Sequence, residues 1–278
     1  MSNNLEIDLI IDRKSESVAL FTNARDEENI VEWAAYHLNI GFDIIYIFDH
    51  KSKIPIDTLF NSNKVVVIPF DGNGGFKFEL IREAVLISKK MNYDWMLYLD
   101  ADEILHFNSF INVKNLLQAY NMADALSINW LFFGSNFHKK TPNGLLIENY
   151  TKSELILNKH VKTFVRPKAG IYAVGHPHYF NMHSTRLFCL PNKAMEPRHP
   201  FNPINIPYTN IDAYIAHYTF QSEETYIKRK CILPRDDIGS FREPEEDIHL
   251  KYNNYENTTI KDKYANRVKK IMKIIGRV

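Results

Sequence analysis

Short apolar runs alternate with longer amphipathic stretches through the first hundred residues, and this alternation narrows the possible folds more than any other feature. Residues 17–22, 43–48, 65–70 and 95–99 read as strands. Residues 26–41 read as a helix, because Ile30, Trp33, Ala34, His37 and Leu38 recur at helical spacing and Gly41 sits where a C-capping glycine belongs. Residues 77–91 read as a second helix, with Leu80, Ala84, Ile87 and Ser88 along one side, and 57–61 as a short one. The 43–48 run is almost entirely apolar, as a strand buried on both faces requires. Strands alternating with helices in this way imply an α/β fold: a mostly parallel sheet flanked by helices.

The second half reads differently. Residues 124–133, 155–157, 160–166 and 211–218 look like strands, and 223–231 like a helix. Five prolines between 189 and 210 predict a long irregular excursion. Near the end, Tyr264, Val268, Ile271 and Ile275 form the apolar stripe of a C-terminal helix. No linker separates two independent domains. The expected organisation is one catalytic-type domain over 1–240, with 1–16 as an extension, followed by a basic helical tail over 241–278.

Composition excludes several classes. The 34 Lys and Arg residues balance 33 Asp and Glu, a net charge of +1, which argues against a dedicated nucleic-acid binder. The balance is uneven, because the chain from residue 251 onward holds eight basic and two acidic residues. A docked helix with a solvated basic face is the simpler reading of that tail. Contact with an anionic membrane surface is the sharper one. No apolar run reaches the ~18–20 residues of a membrane helix. The N-terminal stretch is broken by Asp8, Asp12, Arg13, Lys14 and Glu16, so it lacks the apolar core of a signal peptide. With Cys189 and Cys231 expected as reduced thiols, the expected location is cytoplasmic, with peripheral membrane contact as the alternative. Oligomeric state is not legible.

The chemistry concentrates at Asp100-Ala101-Asp102, which follows the apolar run Trp95-Met96-Leu97-Tyr98-Leu99 without a spacer. In a parallel α/β sheet, ligands bind beyond the carboxyl ends of the strands. Two carboxylates there repel each other and suit a hard divalent cation, Mn2+ or Mg2+. Such an ion can bridge a diphosphate and neutralise the charge that develops as it leaves.

Several segments match a known family in order. They are DEENIVEWAAYHLNIGFDIIYI at 26–47 with Phe48-Asp49-His50-Lys51-Ser52, WMLYLDADEIL at 95–105, and WLFFGS at 130–135. KTFVRP at 162–167 and HYTFQSEE at 217–224 follow. The chain resembles the glycosyltransferase family 2-like group with a GT-A fold, and within it the subgroup related to family 92, over about residues 17–232. That resemblance implies a Rossmann-like nucleotide-sugar core with an irregular acceptor-side half. It implies transfer of a hexose from a nucleotide sugar, a UDP-sugar, to a hydroxyl acceptor on a glycan, lipid or protein, with inversion.

It also implies roles. Thr22, Asn23, Arg25 and Asp26 would hold the base, Asp49 the base or ribose, and Asp100 the ribose and metal. Asp102 and His217 would be metal ligands, and Lys162 and Arg166 would balance the phosphates. Trp130, Ser135 and His178 would face the acceptor. The chain departs from the family pattern at Arg25-Asp26 (Asn-Glu), His50 (Asn) and Gln221 (Lys). Lys228 or Lys230 would make the phosphate contact that Gln221 cannot.

An inverting transfer needs a carboxylate base, and Asp236 and Asp237 are the candidates. Glu103 is expected to turn back and support the metal loop. Glu32 is expected to bond a neighbouring loop, with Trp33 and His37 as core residues. Gly72-Asn73-Gly74-Gly75 reads as loop geometry rather than a phosphate cradle. His176, His178 and His183 lack the converging ligands of a zinc site. Two other readings remain: a nucleotidyltransferase, which explains the paired acids but not the later motifs, and an inactive glycan-binding module.

Overall fold

β-Strands whose neighbouring residues both face apolar layers can only sit inside a sheet covered on two sides, and β1 (Val18–Ala24) shows this directly. Its Val18 and Leu20 enter one core and its Ala19 and Phe21 the other. The structure, a computed structural model, describes residues 15–190 and 202–277. β2 (Ile44–His50), β3 (Val65–Phe70) and β4 (Trp95–Tyr98) are the other strands of the parallel half. They are followed by β5 (Glu103–Phe107), β6 (Ala125–Phe132), β7 (Lys152–Ser153) and β8 (Val161–Val165). β9 (Ile171–Ala173), β10 (Asn181–Met182), β11 (Leu187–Cys189), β12 (Ala213–His217) and β13 (Tyr255–Glu256) complete the set. The helices are α1 (Ile30–Asn39), α2 (Lys77–Lys90), α3 (Val113–Ala119), α4 (Leu146–Asn149), α5 (Glu223–Tyr226) and α6 (Thr259–Ile275).

The main sheet runs β3-β2-β1-β4-β8-β6-β12-β5, with β11 added beside β6. The pairs among β3, β2, β1 and β4 are parallel, as are β6–β11 and β6–β12. β8 is inserted antiparallel between β4 and β6, and β5 runs antiparallel on the outer edge of β12. Helices α1 and α6 cover one face, and α6 buries Tyr264, Val268 and Ile275 there, with Ile271 packed at the margin. α2 covers the other face together with the β9–β10 hairpin. No described helix is long and apolar enough to cross a membrane.

Several sequence expectations shift. The first helix starts at Ile30 rather than residue 26, because Asp26 takes φ 49°, a left-handed conformation that a right-handed helix cannot contain. Gly41 does adopt φ 101° just past the end of that helix. The strand expected at 155–157 is only an isolated bridge between Ile156 and Pro207. β5 and α3 escape a sequence reading. β5 buries Glu103 and His106 among its apolar residues, which hides its pattern, and α3 is seven residues long. The expected irregular excursion falls largely on 191–201, outside the described residues, and only the 3-10 turn Tyr208–Asn210 is seen in the rest.

Glu32 does bond a loop. Its carboxylate accepts the N–H groups of Leu146 (2.7 Å) and Ile147 (3.0 Å) at the start of α4. Burial raises its pKa to about 7, against the lowering effect of those two bonds. A raised carboxyl favours the folded state most below its ordinary value of 4.5, and that contribution is lost as pH rises through about 7. Glu32→Gln, which cannot titrate, is therefore expected to gain stability relative to wild type as pH rises from about 4.5 through about 7. The change in the difference should be about 1.4 kcal/mol per unit of pKa shift. Thermal melts from acid to slightly alkaline pH measure it; a constant gap refutes the assignment.

Candidate active site

The antiparallel insertion of β8 decides which side chains meet at the carboxyl edge of the sheet. β1, β2, β4, β6 and β12 all end at one edge of the sheet, and β5 and β8 both begin there. Asn23, Asp100, Trp130 and His217 arrive from strand ends, while Asp102 and Lys162 arrive at or just before strand beginnings. The register that pairs His217 with Glu103 brings two distant motifs side by side. A cavity of about 390 Å³ opens at this edge, within the range of small-molecule sites.

Alternating charges line it. Lys77, at the start of α2, reaches both Asp100 and Asp236, the latter at 2.9 Å. Lys162 is 1% exposed and lies 3.1 Å from Asp100 and 3.3 Å from Glu103. Asp102, equally buried, is 2.8 Å from Lys230 and 3.5 Å from Arg229, and Arg229 reaches Glu27 at 2.7 Å. Lys230 and Arg229 are adjacent in sequence yet meet one carboxylate. They lie in a π-helical turn, Ile227–Cys231, that continues α5. Its wider turn brings successive side chains closer to one side than an α-helix does.

These contacts set protonation. Burial alone would raise Asp100, but Lys162 and Lys77 outweigh it and hold the carboxyl well below its usual range. Asp102 is likewise lowered, with Lys230 and Arg229 overcoming burial. Glu103 goes the other way: burial, opposed by Lys162 and aided by Asp100 and Asp102, raises it to about 8. Its Oε2 accepts the Asp100 N–H at 2.7 Å, so it supports the acidic loop as expected. Burial lowers His217 to about 4 despite Asp102.

The predicted site residues divide. Asn23, Arg25, Asp100, Asp102, Trp130, Lys162, His178, His217, Asp236 and Asp237 all line the cavity. Asp236 is held by Lys77 and by Asn23 Nδ2 (3.0 Å), and Asp237 is paired with Arg235 at 2.7 Å. Thr22 is fully buried and lies off the cavity wall. Asp26 accepts the Lys53 N–H and Asp49 accepts those of Ser52 and Ile56, so both shape the 51–56 loop instead. Arg166 turns away, bonding Glu16 and the Ala123 and Asn121 carbonyls while lying over the Trp95 ring. Ser135 is buried and donates to the His249 carbonyl. Lys228 is exposed and pairs with Glu28, so Lys230 is the residue of that pair that faces the cavity. Gln221, at the position of the family lysine, is buried with φ 51° and accepts from Asn29.

Sequence reasoning missed Lys77, Arg229 and Glu27. The one available signal was Lys77, two positions after the glycine-rich turn. That turn is the seat of the 233–240 loop. The Lys77 N–H donates to the Asp236 carbonyl at 2.8 Å, and a Cβ on Gly75 would stand 2.6 Å from the Asp237 carbonyl oxygen.

Among the described residues no group of three His, Cys, Asp or Glu side chains gathers as a metal cluster. Two donors do face each other: Asp102 Oδ1, buried without a hydrogen-bond partner, and His217 Nε2, 3.6 Å away. Both oxygens of Asp100 are engaged by Lys77 and Lys162. The carboxylate oxygen suits Mn2+ or Mg2+, which usually takes its remaining ligands from phosphates and water, whereas imidazole is a less common partner of these oxygen-preferring ions.

Comparison with known proteins follows the same line as the motifs. A glycosyltransferase family 92 protein of Ricinus communis is 24% identical over 172 residues, covering 56% of this chain and 30% of that protein. One from Oryza sativa subsp. japonica is 25% identical over 170 residues, covering 56% and 28%. The chain is similar to glycosyltransferase family 92 proteins. It spans less than a third of the length of these relatives. No family model matches it. Among solved structures, UDP-glucose pyrophosphorylase complexed with UDP-glucose superposes with a TM-score of 0.32 at 11% identity, over 55% of this chain and 77% of that one. Glucosyl-3-phosphoglycerate synthase from Mycobacterium tuberculosis gives 0.31 at 11%, over 58% and 61%. Superpositions this partial do not bear on function.

Proposed function

We propose that the chain is a glycosyltransferase that moves a hexose from a nucleotide sugar, a UDP-sugar, to a hydroxyl acceptor. The observation that carries this is the charge of the cavity. Its lining holds seven basic and five acidic side chains, an excess of two positive charges at the carboxyl edge of the sheet. A diphosphate fits that excess, and fixed cations stabilise it as it departs. Lys77, Lys162, Arg229 and Lys230 are already held in place by carboxylates, so little reorganisation is needed when the anion arrives.

Asp102 and His217 would hold Mn2+ or Mg2+, which when bound would supply further positive charge to the diphosphate. Asp236 stands at the cavity wall as the carboxylate that accepts the acceptor hydroxyl proton. Asp237 is the second candidate, and its pairing with Arg235 outweighs burial and lowers it.

The test is direct. A nucleoside diphosphate with Mn2+ should raise the melting temperature, and the gain should shrink in chelator. Incubation with a panel of nucleotide sugars should release free nucleoside diphosphate from one of them. Release of pyrophosphate from a nucleoside triphosphate and a sugar phosphate would instead establish a nucleotidyltransferase. Binding of glycans without either release would establish an inactive module.

A further inference from the structure

Helix α6 carries two stripes one residue apart. The apolar stripe of Tyr264, Val268, Ile271 and Ile275 packs on the body. Moving each of these positions back by one gives Lys263, Arg267, Lys270 and Ile274. They share the same 4, 3, 4 spacing, so they line a second face about 100° around the helix from the first. All four are exposed, Ile274 at 72%. Lys273, and Arg277 just past the helix end, are exposed as well.

The cations of this face are not neutralised within the protein. Lys269 pairs with Glu148, and Lys263 donates to the Phe107 carbonyl at 3.0 Å. Arg267, Lys270, Lys273 and Arg277 make no ion pair and no side-chain hydrogen bond among the described residues. The helices packed on α6 supply no further anion to them. The acid of α1 is the buried Glu32, and that of α4 is the Glu148 already taken by Lys269. Asp262 is the one acid of α6 itself, and Thr258 donates to it at 2.6 Å.

A helix that lies in a membrane interface ordinarily inserts its apolar face. In α6 that face is spent on the core, so only the cationic side is available to a partner. A row of cations by itself fits any polyanion, and one exposed isoleucine by itself means nothing. Set together, they fit a partner with negative charge spread over a plane and an apolar layer directly beneath it. A bilayer with anionic headgroups has both, and it attracts each Lys or Arg held near its surface. The row from Lys263 to Ile274 is about 17 Å long, so a flat surface can meet all of it at once.

We propose that this face of α6 docks on an anionic bilayer surface, with Arg267, Lys270, Lys273 and Arg277 among the headgroups and Ile274 inserted between them. The inference does not rest on the glycosyltransferase reading, and its test uses no nucleotide.

The full chain is sedimented with phosphatidylcholine vesicles that contain or lack phosphatidylserine. It should bind only the anionic vesicles, and the binding should fall as salt is raised, because screening shortens the reach of the surface charge. The double variant Arg267→Gln, Lys270→Gln should bind about 25-fold more weakly, at roughly fivefold per cation. Ile274→Ser should weaken binding about fivefold. As a control, Lys89→Gln with Lys90→Gln removes the same charge from the end of α2, on the opposite face of the sheet, and should stay within about twofold of wild type. All these side chains are exposed, so the melting temperatures of the variants should match that of wild type. No binding, or equal binding to neutral vesicles, overturns the proposal. An equal loss in the α2 control would reduce the effect to net charge and also overturns it. If Ile274→Ser binds as tightly as wild type, the face reads charge alone, as it would on a soluble polyanion, and the bilayer is rejected.

Discussion

Lys162→Met is expected to destabilise the folded chain by about 3–5 kcal/mol, a large share of the ~5–15 kcal/mol that holds a typical domain together. The cost does not come from packing, since methionine fills much of the same volume. It comes from the acids left behind. Lys162 is 1% exposed and faces Asp100 and Glu103, and its removal leaves Asp100 with Lys77 alone. Glu103 already sits near pKa 8, so it meets the loss of Lys162 by taking a proton and carries little of the penalty. Adding Glu103→Gln to Lys162→Met should therefore recover only a small part of the loss, whereas adding Asp100→Asn should recover more. Denaturant unfolding of the single and double variants gives the coupling energies. A single-variant loss below about 1 kcal/mol would mean that the ammonium contributes no more than a surface charge does.

Asp102→Asn is expected to reduce release of nucleoside diphosphate from the donor by about 100-fold or more. Asparagine has nearly the same shape, so the cavity keeps its form while three consequences follow. Lys230 and Arg229 lose the anion they share, although Arg229 retains Glu27. The unpartnered Oδ1 facing His217 loses its charge, and with it most of its capacity to hold a divalent ion. The preset placement of two cations at the cavity wall is relaxed. Steady-state assay of released diphosphate measures the effect, and melting in the presence of nucleotide shows whether binding falls with it. Equal release by wild type and Asp102→Asn across the donor panel removes the carboxylate from the mechanism.

Much of the parallel half was legible from local pattern alone. Strands β1 to β4 are continuous apolar runs and α2 has a clean helical stripe, so period and length suffice. Asp100 and Asp102 stood out because two acids directly after a buried strand conflict with everything before them. The late histidine was legible only through resemblance, since nothing local to His217 marks it. Some of the residues that charge the cavity were not legible. Lys77 opens a helix and resembles any solvated helix-start lysine, and only its contact with Asp236, 159 positions away, gives it a role. Lys228, Arg229 and Lys230 are three consecutive cations that no periodicity separates. A π-helical turn sends the first to solvent and the other two to Asp102. Arg166 shows the reverse error: a cation in a matched motif whose side chain packs on Trp95 behind the sheet.

The sequence by itself determined the class of fold, the edge at which the cavity opens and the two acids there, because strand burial, helix period and a charge at the end of an apolar run are local properties of neighbouring residues. The tertiary structure decided which cations face those acids and where the tail helix packs. Each depends on contacts between segments far apart in the chain. The antiparallel insertion of β8 brings Lys162 to Asp100, the β12–β5 register sets His217 beside Glu103, and the apolar stripe of α6 places the basic tail against α1. Side-chain partners across such distances follow from sheet order and register, which no stretch of the sequence encodes alone.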